Sequence, residues 1–252
     1  MSLVRVIPTL LLKGKGMVKT VNFKNSNYLG DPINAVRIFN EKEVDELILL
    51  DIEATKQKNE PNYLWIKNIV SESFMPIGYG GGINNIDQIK KLFDLGVEKI
   101  IINSAAFDLN LIQKAASLYG EQSIVICIDA KKSLFGGYNI YSTNGQKKYK
   151  TSPDVFAKTV VNSGAGEIII QSIDNEGKMN GYDLTLTKLV SSAVNVPIVA
   201  SGGAGKLEHF NEVIQKGGAS AVAAGSFFVY KGKHNAVLIN YPLISELKQI
   251  IR

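Results

Sequence analysis

Pro76-Ile77-Gly78-Tyr79-Gly80-Gly81-Gly82 aligns without a gap on Pro197-Ile198-Val199-Ala200-Ser201-Gly202-Gly203, 121 residues further along the chain. In each copy a short apolar run reads as a buried strand and the glycines after it as the turn that leaves it. The same offset carries Glu46-Leu47-Ile48 onto Glu167-Ile168-Ile169, and Asn103-Ser104-Ala105 onto Ala224-Gly225-Ser226. A period near half the chain cannot come from one strand-helix unit, so it marks a duplicated half of several units. Chance similarity between apolar strands would not extend through loops and glycines.

Working outward, Val- and Ile-rich runs alternate with longer segments of helical period, the pattern of βα units around a parallel sheet. Eight strands are expected, at 4–10, 46–51, 76–80, 99–103, 124–129, 167–171, 197–201 and 221–225. The chain has 252 residues, about the length of one eight-stranded barrel. The expectation is a single (β/α)8 TIM barrel, residues 1–252, of the α/β class and built from two similar half-barrels.

Local signals agree. Asp31-Pro32 predicts a capped helix over 32–40, and Ser152-Pro153 opens another in the same way. Asn144-Gly145, following Tyr138-Asn139-Ile140-Tyr141, reads as a hairpin turn after the fifth strand, a flap at the rim.

Composition narrows the function. No apolar run approaches the ~18 residues of a membrane span, and the opening Met1-Ser2-Leu3-Val4-Arg5 lacks the layout of a secretion signal. A cytoplasmic protein without membrane contact is expected. Cys127 is the single cysteine, which excludes an internal disulfide and a multi-cysteine metal site. No metal or cofactor is indicated. The net charge of +5 is spread among 23 acids rather than clustered with aromatics, which favours a small anionic substrate over nucleic acid.

Barrel chemistry sits where strands end and βα loops begin. Gly81-Gly82 follows the third strand and Gly202-Gly203, after Ser201, the seventh; Asn103-Ser104 ends the fourth and Gly225-Ser226 the eighth. Glycines there let backbone amides approach an anion, with help from a following helix. The alternative is tight turns without a ligand, but the pairing occurs once per half. Two phosphate sites on opposite sides of one mouth are expected, holding an elongated substrate with chemistry between them.

Candidates for the centre are Asp129, Asp51, Asp174 and Lys19, the last on the loop after the first strand. Asp129, in Ile128-Asp129-Ala130-Lys131, is the best general acid or base, because a carboxylate at the end of an apolar strand has its pKa lifted. A capping or ion-paired aspartate is the alternative. Aligning the first strand on the fifth sets Leu11 opposite Asp129, 118 residues apart. Leu11 cannot exchange a proton, so a symmetric carboxylate pair is excluded.

At the other end of the strands stand Arg5, Glu46, Lys99 and Glu167, at the beginnings of the first, second, fourth and sixth. Facing inward they would meet on the axis as a closed salt-bridge ring. Burying four charges costs several kcal/mol per ion before pairing offsets it. A gate at an axial opening gives that cost a purpose, and separate surface pairs are the alternative.

Taken together, Arg5-Val6-Ile7-Pro8, Gly30-Asp31-Pro32, Asp45-Glu46-Leu47, Gly80-Gly81-Gly82-Ile83, Ile128-Asp129-Ala130-Lys131, Gly181-Tyr182-Asp183 and Ala200-Ser201-Gly202-Gly203-Ala204-Gly205-Lys206 resemble the cyclase subunit of imidazole glycerol phosphate synthase. The resemblance spans nearly the whole chain. It implies a glutaminase subunit docked on the N-terminal face, ammonia passing the ring of Arg5, Glu46, Lys99 and Glu167, and a bisphosphorylated substrate at the two glycine and serine loops. It also implies two catalytic aspartates. Asp129 matches one, and Leu11 stands in place of the other.

Thr9-Leu10-Leu11-Leu12, Gly78-Tyr79 and Asp174-Asn175-Glu176-Gly177 depart from the family pattern as well. The chain is similar to paralogues found in surface-polysaccharide gene sets, whose role is to supply ammonia for making an acetamidino sugar. Two other readings stay open: a genuine histidine-pathway cyclase, and a scaffold that only activates a glutaminase.

Overall fold

The computed structural model describes residues 4–232 and 234–250; residues 1–3, part of the stretch read for a secretion signal, lie outside the described residues. In chain order the sheet strands are β1 (Arg5–Lys13), β2 (Gly16–Val21), β3 (Lys24–Gly30), β4 (Leu47–Asp51), β5 (Ile77–Gly80), β6 (Lys99–Ile102), β7 (Ile124–Lys132), β8 (Tyr138–Ser142), β9 (Lys147–Tyr149), β10 (Glu167–Ser172), β11 (Ile198–Ser201) and β12 (Ala221–Ala224). Hydrogen-bonded neighbours run β10-β11-β12-β1-β4-β5-β6-β7, all parallel, and β7 pairs back onto β10 from Val125–Glu167 to Ala130–Ser172. The ring is closed, and the chain is a (β/α)8 barrel.

Because side chains alternate across a strand, each barrel strand feeds two cores. Ile7, Ile48, Ile101, Val125, Cys127, Ile169, Val199, Ala221 and Ala223 fill the interior. Their neighbours, such as Val6, Leu49, Ile100, Ile126, Ile168 and Val222, pack outward. They meet the helices α1 (Pro32–Glu41), α3 (Tyr63–Val70), α4 (Ile86–Asp94), α5 (Leu109–Tyr119), α6 (Pro153–Val161), α7 (Leu184–Ser191) and α8 (Leu207–Gly217); α2 (Ala54–Gln57) and α9 (Ser226–Val229) are single turns at the mouth, and α10 (Ile244–Ile250) follows. Near-continuous apolar strands are what a sheet buried on both faces requires.

The barrel strands fall where the sequence predicts them to within a residue or two, except β1 and β7. Both run nine residues, out past the rim. β1 continues through β2 into β3 as an antiparallel flap, and β7 does the same through β8 into β9. Asn144-Gly145 marked the second flap, and its turn holds Thr143, Asn144 and Gly145 at positive φ.

The first flap is a correction, because its residues were read as a loop. β3 is largely exposed and has no apolar alternation, so its strand character comes from pairing with β2 and leaves no periodic signal. Asp31 caps α1 by accepting the Ile33 amide. Ser152 does not cap α6; its hydroxyl donates to Asp154 instead.

Candidate active site

Arg5, Glu46, Lys99 and Glu167 each stand two positions before an interior residue, namely Ile7, Ile48, Ile101 and Ile169. They therefore point at the axis, and they close the ring that the sequence suggested. Arg5 pairs with Glu46 at 2.5 Å and with Glu167, while Lys99 pairs with Glu46 at 3.0 Å and Glu167 at 2.7 Å. Both glutamates are buried. Burial works against the Arg5 charge, but hydrogen bonds and attraction from Glu167 and Glu46 together raise its pKa above the ordinary value. Above this floor lies the layer of Ile, Val and Ala side chains, which charged ammonium would cross at high cost and neutral ammonia would not.

At the opposite end the strands open into a cavity. Its lining includes Thr9, Leu11, Lys19, Gly81, Gly82, Asn103, Ser104, Cys127, Asp129, Gln171, Glu176, Ser201, Gly202, Gly203, Gly225 and Ser226. All of the proposed site residues are there except Asp174. That carboxylate accepts the Lys132 amide at 2.9 Å and so holds the root of the β7–β8 flap. Asp51 lines the cavity too, but one carboxylate oxygen accepts the Glu53 and Ala54 amides and caps α2.

Asp129 is buried. Desolvation is the chief reason its pKa rises to about 7; hydrogen bonds from Cys127 and Asn103 oppose the shift, and Glu176 adds to it. A carboxyl poised near neutrality can both give and take a proton at working pH. The Cys127 thiol lies 3.7 Å from Asp129 Oδ1. Burial, then the carboxyl beside it, pushes that thiol well above its usual range, so it stays protonated and is not a nucleophile. Leu11 lines the same cavity as Asp129.

Lys19 stands on strand β2, not on a loop. It is buried and paired with Glu176 at 2.5 Å, while Thr20 and the Phe23 amide donate to the other oxygen of the same carboxylate. Asn22 donates its side chain to the Ile173 and Asp174 carbonyls. The first flap is thereby tied across the mouth to the loop after β10. The sequence marked Glu176 only as part of a departure from the family pattern, not as a site residue, because its pairing depends on a partner 157 residues away.

The two glycine pairs are alike in backbone: Gly81, Gly82, Gly202 and Gly203 all have positive φ. A Cβ on Gly203 would stand 2.1 Å from the Gly181 carbonyl oxygen, and one on Gly82 would stand 2.7 Å from that of Asn59. Close packing thus requires glycine there, whatever binds. The segments after Asn103 and Gly225 are single turns, Ser104–Phe107 and Ser226–Val229, so the helix help expected for an anion is slight. The polar groups are the informative part. Ser226 Oγ and Thr9 Oγ1 are buried without a hydrogen-bond partner.

Comparison with known proteins agrees with this geometry. A family model described as "Histidine biosynthesis protein" matches residues 5–235.

The chain belongs to the cyclase-subunit family of imidazole glycerol phosphate synthase.

Within that family it is 51% identical to a Pseudomonas aeruginosa protein provisionally named imidazole glycerol phosphate synthase subunit hisF2, over 96% of this chain and 97% of the relative. It is 47% identical to a Vibrio vulnificus protein, provisionally named subunit hisF3, over 98% and 96%. A relative from Hydrogenobaculum, named imidazole glycerol phosphate synthase subunit HisF without qualification, is 40% identical over 90% of each chain. The higher identities thus fall on relatives whose cyclase-subunit names are provisional, as expected of a paralogue.

Proposed function

We propose that this chain is the cytoplasmic, ammonia-accepting synthase subunit of a glutamine amidotransferase complex, and that its acceptor is a phosphorylated sugar rather than the histidine-pathway bisphosphate. Glutaminase-derived ammonia passes the ring of Arg5, Glu46, Lys99 and Glu167 and meets a substrate held over Asp129. The product is an amidino sugar for a surface polysaccharide.

One observation carries this reading: the floor is built as a complete charged ring, while at the mouth Leu11 stands opposite Asp129 and the other cavity acids are engaged, Glu176 by Lys19 and Asp51 by the Glu53 and Ala54 amides. Ring closure with two proton transfers needs an acid and a base on the two sides of the intermediate. Addition of ammonia at one carbonyl carbon, with the oxygen leaving as water, can run through one group that takes a proton from the attacking nitrogen and gives it to the departing oxygen. Asp129, near half protonation at neutral pH, supplies that. The smaller departures at Thr9 and Glu176 also fall on the mouth.

The test is to combine the chain with a glutaminase of its genome and glutamine, adding the family's bisphosphate substrate. Glutamate formation should rise over that of the glutaminase alone, with no imidazole product. Rapid imidazole formation, or rescue of a histidine auxotroph lacking its cyclase, would return the chain to histidine synthesis. No rise in glutamate would remove the ammonia-accepting role.

A further inference from the structure

The second flap, β7 to β9, reaches its crest in a tight turn whose residues do not suit it. The Gly136 amide donates to the Ser133 carbonyl at 3.2 Å and the Ser133 amide to the Gly137 carbonyl at 3.0 Å, so Leu134 and Phe135 are the central pair of a β-turn. Such positions ordinarily hold Gly, Pro, Asn, Asp or Ser. Here Gly136 and Gly137, both at positive φ, supply the reversal just after the pair. The turn would close as well with polar residues at its centre. Leu134 and Phe135 are instead 99% and 98% exposed, and open space surrounds the glycines beside them. Two large apolar side chains therefore stand in water at the crest, without packing on the rest of the chain.

Cations gather around that pair. Lys131 and Lys132 are the last two residues of β7, Lys148 lies on β9 and Lys150 just after it, and all four are exposed. At about 3.4 Å per residue and 4.8 Å between strands, they stand within roughly 20 Å of the crest. Of the four, only Lys132 has an acid in pairing distance among the described residues, Asp183 at 3.8 Å. The acids at the root of the flap are engaged: Asp174 accepts the Lys132 amide, Asp183 the Tyr138 hydroxyl and Asp154 the Ser152 hydroxyl. The crest is an apolar pair inside a basic collar.

A protein partner needs roughly 800 Å² of matching surface on each side, and a convex turn offers it two side chains. An anionic bilayer needs no matching shape. It takes apolar side chains about 5–10 Å deep at its headgroup boundary and attracts lysines that stay at its surface. We propose that this flap is a membrane-surface anchor, in which Leu134 and Phe135 insert into an anionic leaflet and Lys131, Lys132, Lys148 and Lys150 lie among its phosphate headgroups. The missing apolar span led to an expectation of no membrane contact, but a protein that lies on a bilayer needs no span. Because the flap rises from the mouth end, the charged floor at the opposite end stays clear of the bilayer and open to a glutaminase.

The test is co-sedimentation of the full chain with vesicles of phosphatidylcholine alone and of phosphatidylcholine mixed with phosphatidylglycerol. The mixed vesicles should bind at least about tenfold more tightly, since each lysine near an anionic surface adds about a factor of five, and added salt should erase the difference. Leu134→Ser combined with Phe135→Ser should lose about tenfold or more of the affinity for mixed vesicles. Its melting temperature should match wild type, because the pair packs on nothing. The emission added by Phe135→Trp should shift to the blue on mixed vesicles. Equal binding by the double variant, or an emission that keeps its value in water, would overturn the anchor and leave diffuse charge attraction. No binding to either vesicle would also overturn it and assign the exposed pair to a protein partner.

Discussion

The floor and the mouth of this barrel are made from the same repeated strands, yet one is self-complete and the other is not. On the floor, four charges pair only with one another: Glu46 and Glu167 are mates under the repeat, and Arg5 and Lys99 bridge them. At the mouth the repeat sets Leu11 against Asp129, a buried acid whose pKa is displaced upward, and the neighbouring Glu176 carboxylate is tied to Lys19. Charges that balance each other give a stable closure. A buried carboxyl whose pKa is lifted to about 7 is a working group, held at some cost to stability.

The largest expected effect tests whether the mouth alone does the chemistry. Asp129→Asn should lower product formation by roughly a hundredfold to ten-thousandfold, the usual contribution of a general acid–base group, while glutamate formation with the glutaminase stays at the wild-type rate. Steady-state assays of both activities on one preparation check this, and a parallel fall in glutamate would show the two ends to be coupled through Asp129.

The next effect belongs to the floor. Arg5→Ala leaves two buried glutamates facing Lys99, and breaking a buried pair from one side costs about 3–5 kcal/mol, discounted to about 2–4 kcal/mol because Arg5 is partly exposed. Urea denaturation should register the loss, and free ammonia should accumulate relative to product. A stability unchanged from wild type would mean that water already screens the ring.

Asp129 also predicts a slope of stability with pH. Its folded pKa lies above the unfolded value, from 3.8 to about 7. Between those values the folded chain keeps a proton that the unfolded chain has lost, so stability is greatest below pH 4 as far as this group is concerned. It falls as pH rises to 7, by up to roughly 4 kcal/mol. Asp129→Asn should remove this component, which denaturation midpoints at pH 5 and pH 8 would show; an unaltered slope would place the carboxyl in a wetter setting.

The smallest effect sharpens the symmetry argument. Leu11→Asp restores a carboxylate opposite Asp129 and should destabilise by about 1–3 kcal/mol at pH 8, through burial and like-charge repulsion, and less at pH 5. Thermal melts at the two pH values check it. Equal loss at both would mean that the cost is lost apolar packing and not charge.

How much of this could be read from the chain alone differs between the same two regions. The ring was legible, since Arg5, Glu46, Lys99 and Glu167 stand at fixed parity to interior residues, and period 2 decides where they point. Asp129 and Leu11 were legible through the repeat. Lys19 was placed in the cavity by the sequence, but its Glu176 partner and strand setting were not foreseen. The setting of Asp174 was not legible, because a loop carboxylate has no parity; the structure shows it accepting the Lys132 amide at the root of the second flap.

By itself the sequence determined the barrel, its duplicated halves, the charged floor and the lone acid, because alternation and internal repetition are properties of the chain's own order. Tertiary structure alone decided the first flap and the Lys19–Glu176 tie. Those depend on strands pairing through the backbone and on hydrogen bonds between residues far apart in sequence. Neither leaves a periodic mark on side chains, so the ties across the mouth emerge only when both halves are folded against each other.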